Sequence, residues 1–334
     1  MMKLIDIYRN AVKKGISRDP RSAREIKEEF NKARREYKKL SGPDKRAFDK
    51  ERFTNPYADT RILYGDPQAE IRTIMVGVDM EAPEILAAER LNDRGSPVDL
   101  VMAHHPEGAA WANFYDVMKI QVAMFAKFGI PKEIGEAMLK ERMGEVERAV
   151  APANHSRSVD IARLLDIPFM CCHTPADNHV ASYLQDLLDR KAPADLAGVV
   201  AILKAIPEYA DGLKKGAGPK ILIGEPKKKA GRIFVDMTGG TEGPKKIFPR
   251  LSQAGVGTIV CMHLSEEHFK HAKDEHINVV IAGHMASDTI GLNLLIDRLQ
   301  KMDRSITIIP CSGFIRVKRQ RPAPSRRQEG LVRG

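Results

Sequence analysis

The chain has 334 residues, 43% hydrophobic and 29% charged, which suits one large α/β domain or two ordinary domains and is far too long for a disulfide-stapled mini-protein. No apolar run approaches the roughly 20 residues of a membrane span, so a transmembrane protein is excluded. The net charge of +10 is carried by the ends: residues 1–52 hold 17 Lys+Arg against 9 Asp+Glu and residues 316–334 hold 7 against 1, leaving a mildly acidic body on which no basic groove for nucleic acid is expected.

Residues 1–52 read as a basic N-terminal helical extension decorating the domain. Leu4, Ile5, Tyr8 and Val12 form one stripe, Ser22 with Glu25 forms a capping box, and a further start lies at Ser41-Gly42-Pro43. A first α/β lobe is expected over 53–190. It opens with the β-rich stretch 71–80, a helix over 82–95 ending at Gly95, and a second strand over 98–106. That βαβ unit has continuous apolar strands, as in a parallel sheet covered on both faces. A helical excursion occupies 107–166, followed by the short strand 167–173 and a helix over 181–190.

The Pro-, Gly- and Lys-rich stretch 191–230 reads as a boundary segment. The second α/β lobe, 231–315, places strands at 231–237, 257–263, 278–284 and 304–313, the last closing its sheet. Residues 316–334, with few apolar side chains to offset the entropy of ordering, are expected to be a disordered basic tail. The fold class is therefore α/β, two lobes with mixed, largely parallel sheets flanked by helices and a site between the lobes at strand ends. The four cysteines lack framework spacing and no apolar leader core opens the sequence; the expectation is a reduced, cytoplasmic chain.

All ten histidines lie between His104 and His284, which marks where chemistry is to be sought. His104-His105-Pro106 ends a buried strand, and neighbouring side chains reach one site only where a strand is ending. The pair can serve two adjacent metals, or one ring can be a core histidine satisfied by a carbonyl. Asp177, also just past a strand, can bridge cations or cap a turn. His284 and Asp288 stand four apart at a strand–helix junction, so both face one side if the junction turns helical.

Taken in order, these motifs resemble the NGG-one-interacting-factor family, also known as GTP cyclohydrolase type-two homologues or dinuclear metal-centre proteins. The resemblance runs from about Asp59 to Leu299. It is carried by Asp59-Thr60-Arg61-Ile62-Leu63-Tyr64-Gly65-Asp66-Pro67, the strand ending in Asp79, His104-His105-Pro106, His173-Thr174 with Asp177, and Gly283-His284 with Ser287-Asp288. It implies two divalent transition metal ions held by His104, His105, Asp177, His284 and Asp288, in a protomer that assembles into a ring-shaped homohexamer. The N/O donor set suits Zn, Fe, Mn or Co. Two departures stand out: the family has Glu where this chain has the shorter Asp288, and Thr-Gly-Glu where it has Cys261-Met262-His263, whose His263 either adds an imidazole to the pocket or serves as a cap or support for a ligand.

Two ions about 3.5–4 Å apart activate water and polarise a phosphoryl, carbonyl or ring C=N group, so the expected activity is hydrolysis of a nucleotide or pterin-like small molecule. Glu107, His173 and His179, each near a ligand in sequence, are the candidate proton shuttles. The alternative is a non-catalytic protein that stores or delivers a transition metal or serves as a regulatory scaffold. The excursion, with Trp111, Phe114 and Tyr115 at its start, is expected to lie over or beside the metal-bearing sheet edge, its aromatics either stacking on a planar ligand or packing as a lid. Gly239 to Gly243 is a plain turn or a phosphate cradle, and His268 and His271 read as a solvated helix face.

Overall fold

The computed structural model describes residues 1–319. The chain begins with β1 (Met2–Lys3), α1 (Leu4–Ile16), α2 (Ala23–Lys39) and α3 (Gly42–Ala47), then β2 (Thr60–Tyr64), β3 (Glu70–Ile71), β4 (Thr73–Gly77), α4 (Ala82–Asp93) and β5 (Leu100–Ala103). The excursion contributes α5 (Gly108–Ala112), α6 (Ile120–Lys127), α7 (Lys132–Val150) and α8 (Arg157–Leu164). After it come β6 (Phe169–Cys172), α9 (Thr174–Lys191), α10 (Leu196–Lys204), α11 (Pro207–Lys214) and β7 (Lys220–Ile223). The second lobe adds β8 (Arg232–Asp236), α12 (Ile247–Gln253), β9 (Val256–Cys261), α13 (Glu266–Asp274) and β10 (Asn278–Ile281), before α14 (His284–Met302) and β11 (Thr307–Pro310).

The first sheet has the order β11-β4-β5-β6-β2, parallel except where β2 meets β6. The second has the order β7-β10-β9-β8, parallel except at β7. Both are buried on two faces, which explains the unbroken apolar runs of their central strands. On the first sheet, Met75, Val101 and Phe169 face Ile85, Ala88 and Ala162 of α4 and α8, while Ile74, Leu100 and Met170 pack with Leu4, Ile7 and Leu295 on the opposite side.

Four features differ from the sequence expectation. The N-terminal helices are not all decoration: Leu4, Ile7, Tyr8 and Val12 of α1 are buried core, and β1 pairs with β3. The stripe was legible, but its partner lies far away in sequence. The strand expected to close the second sheet, β11, instead joins β4 in the first, because α14 carries the chain back across both lobes. The boundary segment contains α10, α11 and the edge strand β7. Finally, residues 316–319 of the expected tail are tied down: Arg316 donates to Asp297, Gln300 and Asn293, and Arg319 to the buried Glu208. The remainder of that tail lies outside the described residues.

The packing that matters most for the site is α14 against α9. A Cβ on Gly291 would lie 2.5 Å from the Ala176 carbonyl oxygen, so the two helices approach as closely as they do only because position 291 has no side chain. Gly291→Ala is expected to cost about 1–3 kcal/mol of unfolding free energy by overpacking this contact. Gly144→Ala in α7, where the new methyl meets only the flexible end of Arg148, should be neutral or stabilising. Denaturant unfolding of the two variants distinguishes a site-specific contact from general glycine chemistry.

Candidate metal centre

Three strand ends build the site. β5 stops at Ala103, and the bend that follows is fixed by the His104 and His105 amides donating to Gly77 and Val78 carbonyls, so the strand alternation no longer applies and both rings turn to one side. β6 leads to His173 at the start of α9, with Asp177 in its first turn. β10 leads through Gly283 into α14, where His284 and Asp288 stand one turn apart. The lobes thus meet through helices that begin at the same edge.

Asp288 lies at the centre. One oxygen, Oδ1, is 3.4 Å from His104 Nε2, and the other, Oδ2, is 3.6 Å from His105 Nε2 and 3.5 Å from His284 Nε2. Asp177 is 3.4 Å from His104 Nε2 through Oδ1 and 3.6 Å from His173 Nε2 through Oδ2. Donor atoms within metal-binding reach of one another form an inner group of His104, Asp177 and Asp288 and an outer group of His105, His284 and Asp288; His173 joins His104 and His105 in a third. The Asp288 carboxylate therefore faces both the inner and the outer group.

The rings are held from behind. His105 Nδ1 pairs with Asp79 at 2.6 Å, His173 Nδ1 with Asp59 at 2.8 Å, and His104 Nδ1 with the Cys172 carbonyl at 3.3 Å. A ligating histidine characteristically gives its second nitrogen to such an oxygen, which fixes tautomer and orientation. His173, expected as a proton shuttle, instead stands among the donors; its signal was its place at a strand end four residues before Asp177.

The electrostatics are those of a site arranged for positive charge. Burial pulls the His104 imidazole down, but Asp288 and Asp177 more than reverse this and raise it to about 10. Burial would push Asp288 up, yet His104, His284 and His105 hold it below the usual carboxylate range. Even so, His104 Nε2, Asp177 Oδ1 and both oxygens of Asp288 are buried with no hydrogen-bond partner. Orphaned polar atoms cost several kcal/mol in an apolar interior, and four converging on one point fit a bound cation with nitrogen and carboxylate preference.

The remaining candidates lie elsewhere. His179 turns away from the cluster, with Nδ1 on the Pro175 carbonyl and burial pushing it down to about 4. Glu107, at the start of α5, is half-buried, and burial followed by the Glu81 and Asp79 carboxylates raises it to about 7. Of the excursion aromatics, Phe114 reaches the site, edge-on to His173 at 6.4 Å, whereas Trp111 packs on His155. Cys171 and Cys172 are buried in β6, and burial raises both thiols, which disfavours the reactive thiolate.

Sequence reasoning missed a second set of groups on the other wall. A pocket opening from His173, Asp177, His284 and Asp288 runs along the ends of β8 and β9, past Phe234, Phe248, Asp236 and Glu242. Asp236 has no hydrogen-bond partner among the described residues, and burial, with Glu242 adding to it, raises its carboxyl to about 7. His268, expected on a solvated face, is buried and bonds the Gly243 carbonyl at 2.9 Å, securing the glycine turn. Only the tertiary approach of α13 to that turn reveals it.

No family model matches the sequence, and no curated protein matches it. The fold, however, is that of a NIF3 superfamily protein from Sphaerobacter thermophilus, with a TM-score of 0.66 and 23% identity over 87% of this chain and 98% of that one. Reduced HcgD from Methanocaldococcus jannaschii (TM-score 0.47, 14% identity, 75% of this chain and 87% of that one) and a hypothetical protein from Staphylococcus aureus (0.44, 14%, 75% and 89%) are looser likenesses. The chain thus has the NIF3 superfamily fold, with a buried His/Asp cluster able to bind metal. No helix among the described residues is long and apolar enough to cross a membrane.

Elemental analysis should show that His173→Ala and Asp288→Asn lower divalent metal content, whereas His179→Gln leaves it unchanged. Asp236 gives a pH test with a defined sign. Its folded-state value lies above that of an unfolded aspartate, so its contribution is fully present below about pH 4 and is lost as pH rises toward 7. Asp236→Asn should therefore stabilise the protein by about 1–3 kcal/mol more at pH 8 than at pH 4, read by denaturant unfolding at both pH values.

Proposed function

We propose that the chain is a distant member of the NIF3 superfamily and a metal-dependent hydrolase acting on a nucleotide or pterin-like small molecule. The observation that carries this reading is the grading of exposure across the cluster. The Asp288 side chain is 0% exposed, His105 27% and His284 38%, so the donors begin in the core and end at an open pocket. Structural metal sites close around the ion; catalytic ones keep a position open to substrate.

His104, Asp177 and Asp288 would hold an inner ion, with His105, His284 and the second oxygen of Asp288 holding an outer one. Bound there, divalent cations supply Lewis acidity toward a phosphoryl or carbonyl oxygen and activate water for hydrolysis. The chain itself does the rest. Phe234 and Phe248 offer apolar walls suited to a flat ring, and Phe114 covers the His173 side. Asp236, which lines this pocket and is raised to about 7, is the carboxyl able to hold and release a proton near neutral pH. Asp59 and Asp79 keep the rings of His173 and His105 from rotating away. The proposal includes the homohexamer that the resemblance implies, measurable by light scattering.

The test is turnover of a panel of nucleotides, cyclic phosphoesters and pterin precursors by protein reconstituted with Mn, Fe or Zn. Hydrolysis of one class, reduced at least a hundredfold in His104→Ala, is the expected result. Release of metal to an apo-acceptor with no turnover of any substrate would replace the hydrolase with a metal-delivery protein.

A further inference from the structure

We infer that His263 is a further metal donor, supplied by the second lobe to the outer cation position. The inference rests on reading the His/Asp cluster as a metal centre. It does not depend on the hydrolase activity.

The argument starts from the arrangement common to the first lobe's histidines. Each of His104, His105 and His173 gives Nδ1 to an oxygen behind it and presents Nε2 to the cluster. His263, just past the end of β9, repeats the first half of this pattern: its Nδ1 lies 3.5 Å from Glu242 Oε1, and no hydrogen bond among the described residues engages Nε2. Its ring centroid is 5.0 Å from that of His284, against 5.3 Å between His105 and His284 and 4.8 Å between His104 and His173. By spacing, His263 is the next ring in the series, approaching from the opposite wall.

Glu242 is positioned with unusual care for a residue in a glycine turn. Its carboxylate accepts the Ser265 amide at 2.6 Å and lies 3.3 Å from His268 Nδ1, while its carbonyl accepts from Arg142 at 3.1 Å. The turn itself is clamped by the excursion. Gly239, at φ +93, packs so closely that a Cβ would meet Gln121 Cγ at 2.6 Å, and the Gln121 amide donates to the Gly239 and Thr241 carbonyls. A carboxylate secured from the start of α13, on a turn held by α6 and α7, and facing an imidazole is the support that a ligating histidine receives.

The outer position has room for such a donor. Its present set is His105, His284 and one oxygen of Asp288, and since divalent first-row ions take up to about six ligands, a fourth protein donor still leaves a position open to substrate. The His263 side chain is 52% exposed and lines the same pocket as His284 and Asp288; its nitrogens lie outside the present donor groups, so ligation requires the ring to swing toward His284, which its exposure leaves room for.

Metal titration tests this directly. Metal-free protein titrated with Co²⁺, followed by visible absorption and calorimetry, should show two equivalents in the full chain. His263→Ala should weaken the weaker equivalent about 10–100-fold and alter its visible spectrum, leaving the tighter equivalent and the melting temperature of the metal-free protein unchanged. Glu242→Gln should weaken the same equivalent by a smaller factor. Two unchanged equivalents in His263→Ala would overturn the inference, as would a single equivalent in the unmodified chain. A null result in the turnover panel with these shifts present would sink the hydrolase reading alone.

Discussion

A carboxylate buried completely and left without a hydrogen bond is the constraint around which this molecule is organised. Asp288 has 0% exposure and two unpartnered oxygens, a condition that costs several kcal/mol unless positive charge faces it. His104, whose imidazole Asp288 and Asp177 raise, supplies that charge in part, and a bound cation would complete it. Everything that brings the histidine rings to one point, including the strand ends and the helix contact at Gly291, serves that electrostatic requirement.

The two lobes are not independent bodies that happen to touch. α9 begins at the first sheet with His173 and Asp177 and then lines the second, where Val180, Leu184 and Leu188 enter its core and Gln185 bonds the backbone of β8. α14 does the reverse, starting from β10 with His284 and ending against the first sheet through Leu295 and Leu299. Because each helix starts at one sheet and packs on both, their N-terminal turns are forced together. The site between the lobes is thus a consequence of the wiring, and its carboxylates come from helices whose relative position the whole core fixes.

The two walls of the pocket differ in chemistry. The first lobe provides His104, His105 and His173, held from behind by Asp59, Asp79 and a carbonyl. The second provides His284 and Asp288, and beyond them apolar rings and the acid groups Asp236 and Glu242, together with His263. The excursion joins them: Phe114 reaches His173 while Gln121 clamps the glycine turn that carries Glu242. A segment that looked like a simple lid is therefore also part of the scaffold on which the second wall is built.

Local chemistry was readable from the sequence wherever the signal was itself local. The capping box of Ser22 and Glu25 forms as its spacing requires, the βαβ unit is present, and His284 and Asp288 share a helix face because four residues make one turn. The histidine pair at a strand end pointed to the site for the same reason. Pairing partners were another matter. That β11 returns to β4, that the α1 stripe faces the first sheet, and that His268 closes on a glycine turn are contacts between distant residues, about which periodicity is silent. His173 and His263 show the limit most clearly. A strand end places a histidine near a site, but only the packing of helices and turns around it decides where the ring nitrogens point.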